Sequence, residues 1–263
     1  PVREDEKKSV EYSKVLKYTD RIMPEVHLIS NGSYSVMLTD DGSGFSKLND
    51  LAVTRWREDE VQNKYGVYFY LRDIDTNEVW NAALAPNRIP ADKYTVTYTQ
   101  DKAIYINSHG NIDCQTEIIV SPEDDVEIRR ISITNHSNNV RTIEATSYYE
   151  VVLAPQSADV AHPAFSNLFV KTEYVSKYNC LLGVRRPREE HKSPIWMLHS
   201  ILVENEILGG IQYETDRGKF IGRGRDVSNP IAIENNYPLS NAVGAVIDPI
   251  MSLRGRVRIE PGQ

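Results

Sequence analysis

The chain has 263 residues and a formal charge of −7. That balance argues against a nucleic-acid partner, because counterion release needs a basic face. No apolar run approaches the roughly 20 residues that span a bilayer, so no membrane contact is expected. The histidines and two cysteines form no cluster with metal-ligand spacing, and neither a metal nor another cofactor is expected.

The first segment, residues 1–26, is charge-rich and reads as a short helix anchored by Val10, Val15, Leu16 and Ile22. It lacks the apolar core of a signal peptide. With no initiator Met, the chain is expected to be a fragment or a processed product. Cys114 and Cys180 fit reduced cytoplasmic thiols better than a disulfide framework. From His27 to the end the texture changes, and residues 27–263 read as one β domain. The stretch after Ser30-Asn31-Gly32 alternates through Leu38. Asp40-Asp41-Gly42-Ser43-Gly44-Phe45-Ser46 is a turn whose glycines permit positive φ. Leu51–Arg57 is a strand, and Tyr65–Arg72 pairs with Glu78–Ala83 across the turn Asp73–Asn77. Beyond Pro86 and Pro90, Tyr94–Tyr98 and Lys102–Ile106 form another hairpin.

The organising stretch is Ile112–Leu153. Ser121-Pro122-Glu123-Asp124-Asp125 is turn chemistry joining the strand Asp113–Val120 to Val126–Thr134. Apolar parity slips near Arg129–Arg130, which suggests a bulge or a strand covered on both faces. His136-Ser137-Asn138-Asn139 reads as a second turn, making an antiparallel hairpin of that strand and Thr142–Leu153. The last strand alternates cleanly, with Ile143 to Leu153 on a packed face and Glu144 to Val152 on a more polar one. Ala154–Ser166 is irregular, with room for one helical turn. Strands resume at Leu168–Tyr174, Cys180–Arg185, Trp196–Val203, Ile211–Thr215, Val246–Arg254 and Arg256–Ile259. Short strands with regular turn signals make this an all-β sandwich with little helix.

Several residues could carry chemistry. In Arg55-Trp56-Arg57 the indole offers a stacking face for a pyranose, and the guanidinium forks suit vicinal hydroxyls. The alternative is a core Trp56 flanked by surface ion pairs. Asp159, His162 and Phe165 stand close in sequence, as an Asp-oriented acid–base histidine would require. The alternative has Asp159 and His162 serving loop backbone groups. Phe220-Ile221-Gly222-Arg223-Gly224-Arg225 lacks the Lys-Ser/Thr of a phosphate loop. Its glycines leave room for Arg223 to lie buried against an acid such as Asp216, Asp226 or Asp248, as a structural arginine. Cys114, inside a strand, is expected to be a buried inert thiol.

The phrases DDGSGFSKLNDLAVTRWRED, FYLRDIDTNEVW, VSPEDDVEIRRISITN, TSYYEVVLAPQSADVAHPAFSNLFVKTEY, FIGRGR and DPIMSLR occur here in order. They resemble the β-domain of cyclic β-1,2-glucan synthases, shared with the cellobiose and chitobiose phosphorylases (glycosyltransferase 36, glycoside hydrolase family 94). The resemblance runs from about His27 to Gly262. It implies a large antiparallel two-sheet super-sandwich, similar to galactose mutarotase. It also implies that catalysis belongs to an (α/α)6 barrel in a longer parent chain, since this sequence stops where family members run on toward one. The turn before Trp56, with Phe45, is implied to approach the active site of the parent or of a partner subunit, and a homodimer is one assembly this allows.

Three functions follow. The first is a non-catalytic domain that positions a β-linked glucan or gluco-oligosaccharide, with Phe45, Arg55, Trp56, Arg57, Asp159 and His162 as contacts. The second is a stand-alone mutarotase-like enzyme. The third is a structural module that braces the barrel or dimerises. Resemblance of fold does not choose among them, because sites carry function.

Overall fold

The computed structural model describes residues 13–17, 23–58, 64–187, 191, 193–234 and 237–263. After β1 (Ser13–Lys17), a meander runs through β2 (Val26–Ser30), β3 (Tyr34–Thr39), β4 (Gly44–Leu48) and β5 (Leu51–Thr54). β6 (Tyr68–Asp73) and β7 (Val79–Asn81) make a hairpin. A second meander comprises β8 (Lys93–Thr99), β9 (Lys102–His109), β10 (Ile112–Val120) and β11 (Glu127–Asn135). Next come β12 (Arg141–Pro155) and two short helices, α1 (Gln156–Ala161) and α2 (Pro163–Asn167). The chain then runs through β13 (Val170–Val175), β14 (Cys180–Arg185), β15 (Ile195–Ser200), β16 (Gln212–Asp216), α3 (Arg217–Ile221) and β17 (Pro249–Ile259).

The strands assemble into two large antiparallel sheets and one small one. A five-stranded sheet has the order β1-β8-β9-β10-β11, and a nine-stranded sheet runs β16-β17-β12-β5-β4-β3-β2 with the β6–β7 hairpin attached to β12. The small third sheet is β13-β14-β15. This is the expected super-sandwich. Its core joins Val36, Leu38, Val151 and Leu253 of the large sheet to Val96, Ala103, Tyr105 and Ile118 of the five-stranded one, with Leu181 from the small sheet.

β12 is central, bordered by β17 on one edge and by β6 and then β5 on the other. Its apolar parity packs inward as expected, Ile143 and Val151 being completely buried. The other parity is buried too, which the alternation did not reveal. Phe220 and Ile221 of α3, with Val227, Ala232 and Ile233, lie over Tyr148, Tyr68 and Tyr70 on that face. Glu144 is therefore 1% exposed. It stands opposite Arg256 on β17 and Arg72 on β6, and its carboxylate pairs with both, at 2.7 and 2.9 Å. Such opposite-charge neighbours across strands are what make a buried carboxylate tolerable.

Three sequence expectations are corrected. β11 and β12 do not form a hairpin: β11 pairs with β10, and residues 136–140 carry the chain into the other sheet. No bulge interrupts β11, which keeps one register with β10 from Glu127 to Asn135. Its parity never slips, because Arg129 takes a partly buried position, pairing with Glu127 at 3.0 Å and donating to the Val67 carbonyl, while Ile128 faces outward. Finally, within the expected helical segment 1–26, residues 13–17 are a strand, since β1 pairs with β8 and buries Leu16. Residues 1–12 and 18–22 of that segment lie outside the described residues.

Candidate functional site

Where β5 ends, the Arg55 amide donates to the Glu150 carbonyl and keeps the chain beside β12. β12 then shifts register between Val151 and Ala154, with Leu153 in the left-handed region at φ 53°, and turns directly into α1. This geometry brings Arg55, Glu150 and Asp159 together. Arg55 Nη1 reaches Glu150 Oε2 at 2.6 Å and Asp248 Oδ1 at 3.2 Å. Its Nε and Nη2 both donate to Asp159 at 3.2 Å, a two-pronged contact, and Nη2 also donates to Asn167 Oδ1 at 2.6 Å. Arg57 Nη2 shares Asp159 Oδ2 with Arg55 Nε, at 2.6 Å.

The remaining acids are equally engaged. Arg217 pairs with Glu150 at 2.7 Å and with Asp248 at 3.5 Å, and the Tyr148 hydroxyl donates to Glu150 at 3.0 Å. Three guanidiniums thus face three carboxylates. Burial works against the charge of Arg55, but Glu150 and Asp159 outweigh it and raise its pKa above the usual guanidinium value. The innermost groups, Arg55, Glu150 and Asp159, are buried, while Arg57, Arg217 and Asp248 reach the surface. The node is a charge-balanced clamp tying β5, β12, α1, α2 and the entry to β17.

The sequence singled out Arg55, Arg57 and Asp159 as carbohydrate contacts in two separate features, and did not anticipate that they meet in one ion-pair node. It did not single out Glu150, Asn167 or Arg217, Glu150 having as its only local signal a carboxylate on the polar parity of β12, and it weighed Asp248 only as a partner for Arg223. Trp56 is half-buried, its ring tilted 53° against Phe45 at 5.4 Å. The preceding turn is not a free loop. Gly42, Ser43 and Gly44 are buried, and Asp41 accepts from the Ser43 amide and pairs with Arg88. Gly44 is demanded by its φ of 145° and by the Met37 carbonyl, which lies 1.9 Å from where a Cβ would stand.

His162 is exposed at the junction of α1 and α2, and Asp159 turns from it to the two arginines. Of the two readings of this loop, the acid–base pair does not assemble. Phe165 is exposed as well, edge-on to Phe169 at 5.2 Å. Arg223 contradicts its expected burial: α3 ends at Gly222 (φ 84°) and Gly224 (φ 75°) reverses the chain again, so Arg223 is carried into solvent. The deeply buried arginines are instead Arg72 and Arg254, which donate to the carbonyls of Glu234, Ala232 and Tyr237 and pin that loop over β12. Cys114 is buried as expected, and burial pushes its thiol up to about 12.

One histidine does lie near a glutamate. His199 on β15 shares a 2.8 Å hydrogen bond with Ser147 Oγ, and its ring meets the Tyr149 ring edge-on at 5.1 Å. Burial lowers its pKa to about 4, against an opposing pull from Glu127. Glu127 is itself taken by Arg129 and Ser46. His199 is therefore a neutral packing group between sheets.

Among known families, residues 11–263 match the description "Glycosyl hydrolase 94, supersandwich domain". The cyclic beta-(1,2)-glucan synthase of Rhizobium meliloti (strain 1021) is 38% identical over 240 residues, covering 91% of this chain and 8% of that protein. Solabiose phosphorylase of Paenibacillus borealis is 26% identical, covering 74% of this chain and 24% of its own length. N,N'-diacetylchitobiose phosphorylase of Vibrio proteolyticus is 23% identical, with 95% and 31% covered. The chain thus spans less than a third of the length of each of these relatives.

Proposed function

The chain belongs to the glycosyl hydrolase 94 supersandwich-domain family, and on that premise we propose that it is a non-catalytic domain that helps position a β-linked glucan for the catalytic part of a longer protein. The resemblance makes that part an (α/α)6 barrel. The carrying observation is the Arg55 node. Glu150, Asp159 and Asp248, the carboxylates an acid–base reaction at this edge would use, are each held by guanidiniums. Carboxylates whose oxygens are taken up by guanidiniums are placed to hold the fold together. What the node does offer is a rigid base for its rim, where Trp56, Phe45 and Arg57 combine an aromatic face with a fork of donors. The two free, buried thiols fit the reducing cytoplasm as its compartment.

The test is calorimetric titration of the chain with linear β-1,2-gluco-oligosaccharides, beside assays for phosphorolysis and glucosyl transfer. Saturable heat that disappears in Trp56→Ala, without turnover, is the expected result. Turnover that follows the chain through repurification would overturn the non-catalytic reading. A second reading, a bracing module, draws on the outer face of β15, where Trp196 and Leu198 stand 59% and 61% exposed. Absence of any glucan binding would favour it.

A further inference from the structure

Asn31-Gly32 is the single Asn-Gly pair in the sequence. It sits in the tight turn between β2 and β3, where Gly32 is exposed at φ 104° with open space around it. Asn31 does more than shape that turn. Its Oδ1 accepts from the Ser33 and Tyr34 amides at 3.0 and 2.8 Å. Its Nδ2 reaches the β10–β11 turn of the other large sheet, donating to the Ser121 and Asp124 carbonyls at 2.8 and 3.0 Å. Ser33 Oγ adds a second tie, donating to Asp125 Oδ1 at 2.5 Å. One side-chain amide thus clasps the two large sheets together at this corner.

An asparagine before glycine is chemically labile, because no glycine Cβ keeps the backbone nitrogen from the amide carbon. The Gly32 nitrogen bonds to Asn31 Cγ, the Cγ–Nδ2 bond breaks, and Nδ2 leaves as ammonia with the Gly32 proton. Water then opens the cyclic imide, giving aspartate or isoaspartate according to which carbonyl it attacks. The closed clasp opposes this. Nδ2 is held by two carbonyls, and the Gly32 amide donates to Ser30 Oγ at 3.1 Å. Local opening removes the obstacle, and β2 is placed to open, since it ends the nine-stranded sheet with β3 as its neighbour. Such edges separate at less cost than the whole fold.

We propose that Asn31 is a deamidation site gated by this clasp, and that its conversion to an acid releases the β2–β3 turn from the β10–β11 turn. The product carboxylate has no N–H for the Ser121 and Asp124 carbonyls, and it adds negative charge to a corner that already holds Asp125. Isoaspartate also lengthens the backbone of a turn whose register is set by its neighbours. The loss is irreversible, so the loosening accumulates with the age of the molecule. This site is independent of the glucan reading.

Peptide mass spectrometry of the full chain tests it, because the change from amide to acid registers as a mass gain at Asn31. At pH 8 the native chain should convert at least about tenfold more slowly than the chain unfolded in guanidinium chloride. Ser33→Ala cuts the tie to Asp125 and leaves Asn-Gly in place. It should speed conversion of the folded chain and leave the unfolded rate unchanged. In Asn31→Asp, hydrogen exchange at the Ser121 amide, which donates to the Val126 carbonyl, should quicken while the β12–β17 amides stay protected. A native rate equal to the unfolded one overturns the gating, as does a folded Ser33→Ala chain that ages no faster than the parent. Asn31 left intact in both folded chains overturns the site itself. Unaltered exchange at Ser121 in a folded Asn31→Asp protein shows that the amide is not the clasp, and that too sinks the proposal.

Discussion

Arg55 Nη1 sits 2.6 Å from Glu150 Oε2, across 95 positions of sequence, with both side chains less than a tenth exposed. Neither charge has water to fall back on. Truncating one partner leaves the others buried and uncompensated, which is far more damaging than the net worth of the pair. Arg55→Ala should therefore destabilise the fold by about 3–5 kcal/mol in urea unfolding. Arg55→Lys should recover only part of this, because an ammonium does not reproduce the fork that spans Glu150, Asp159 and Asn167. A variant as stable as the parent would show that the node is not a clamp.

Trp56 and Trp80 should respond differently to truncation. Trp80 is 2% exposed, so Trp80→Ala is expected to cost about 3–5 kcal/mol. Trp56 is half-buried, and its contact with Phe45 is of a kind worth about 0.5–1.5 kcal/mol beyond area burial. Trp56→Ala should lower the melting temperature less than Trp80→Ala while abolishing glucan heat. Equal melting losses would return Trp56 to the core.

Arg223 should be close to silent. It is exposed, so Arg223→Ala is expected to change stability by no more than about 0.5 kcal/mol. Arg254→Ala, three strands deep in charge, should be severe. Comparing the two midpoints in the same denaturant series settles the assignment of the structural arginine.

His199 should make the fold acid-sensitive. Its folded pKa is about 4 against an ordinary 6.5, so the unfolded chain takes up the proton first as pH falls. The stability that depends on neutral His199 is complete above pH 6.5 and drains away between 6.5 and 4. The loss should approach roughly 3 kcal/mol. His199→Gln should flatten this part of the stability-versus-pH curve, and an unaltered slope in that variant would mean the proton goes elsewhere.

Cys114 should be chemically mute in the native state. It is buried, and its thiol is pushed up to about 12. A disulfide reagent at pH 8 should label it only at the rate of unfolding, while denaturant should expose it at once. Rapid native labelling at this residue would contradict its packing.

Hairpins were readable because both their determinants are local. Alternation marks the strands and turn residues mark the reversals, which is why β6–β7, β8–β9 and β10–β11 were expected where they occur. The same rules failed at residues 136–140, because turn chemistry reverses a chain without saying which sheet receives it. They also misjudged β11, where a hydrophobicity pattern treats Arg129 as outward and Ile128 as inward. Glu127 lets the arginine take the inner position.

The amino-acid order by itself determined the class of fold and most strand positions, and it singled out Arg55, Arg57 and Asp159 without showing that they meet. Only the tertiary structure decided that Glu144 and Glu150 are interior and that Arg223 is not. It alone brought Asp248, 193 positions away, to Arg55. Period and turn are properties of neighbouring residues, but the tolerance of a buried charge depends on a partner of opposite sign, and distant strands supply it.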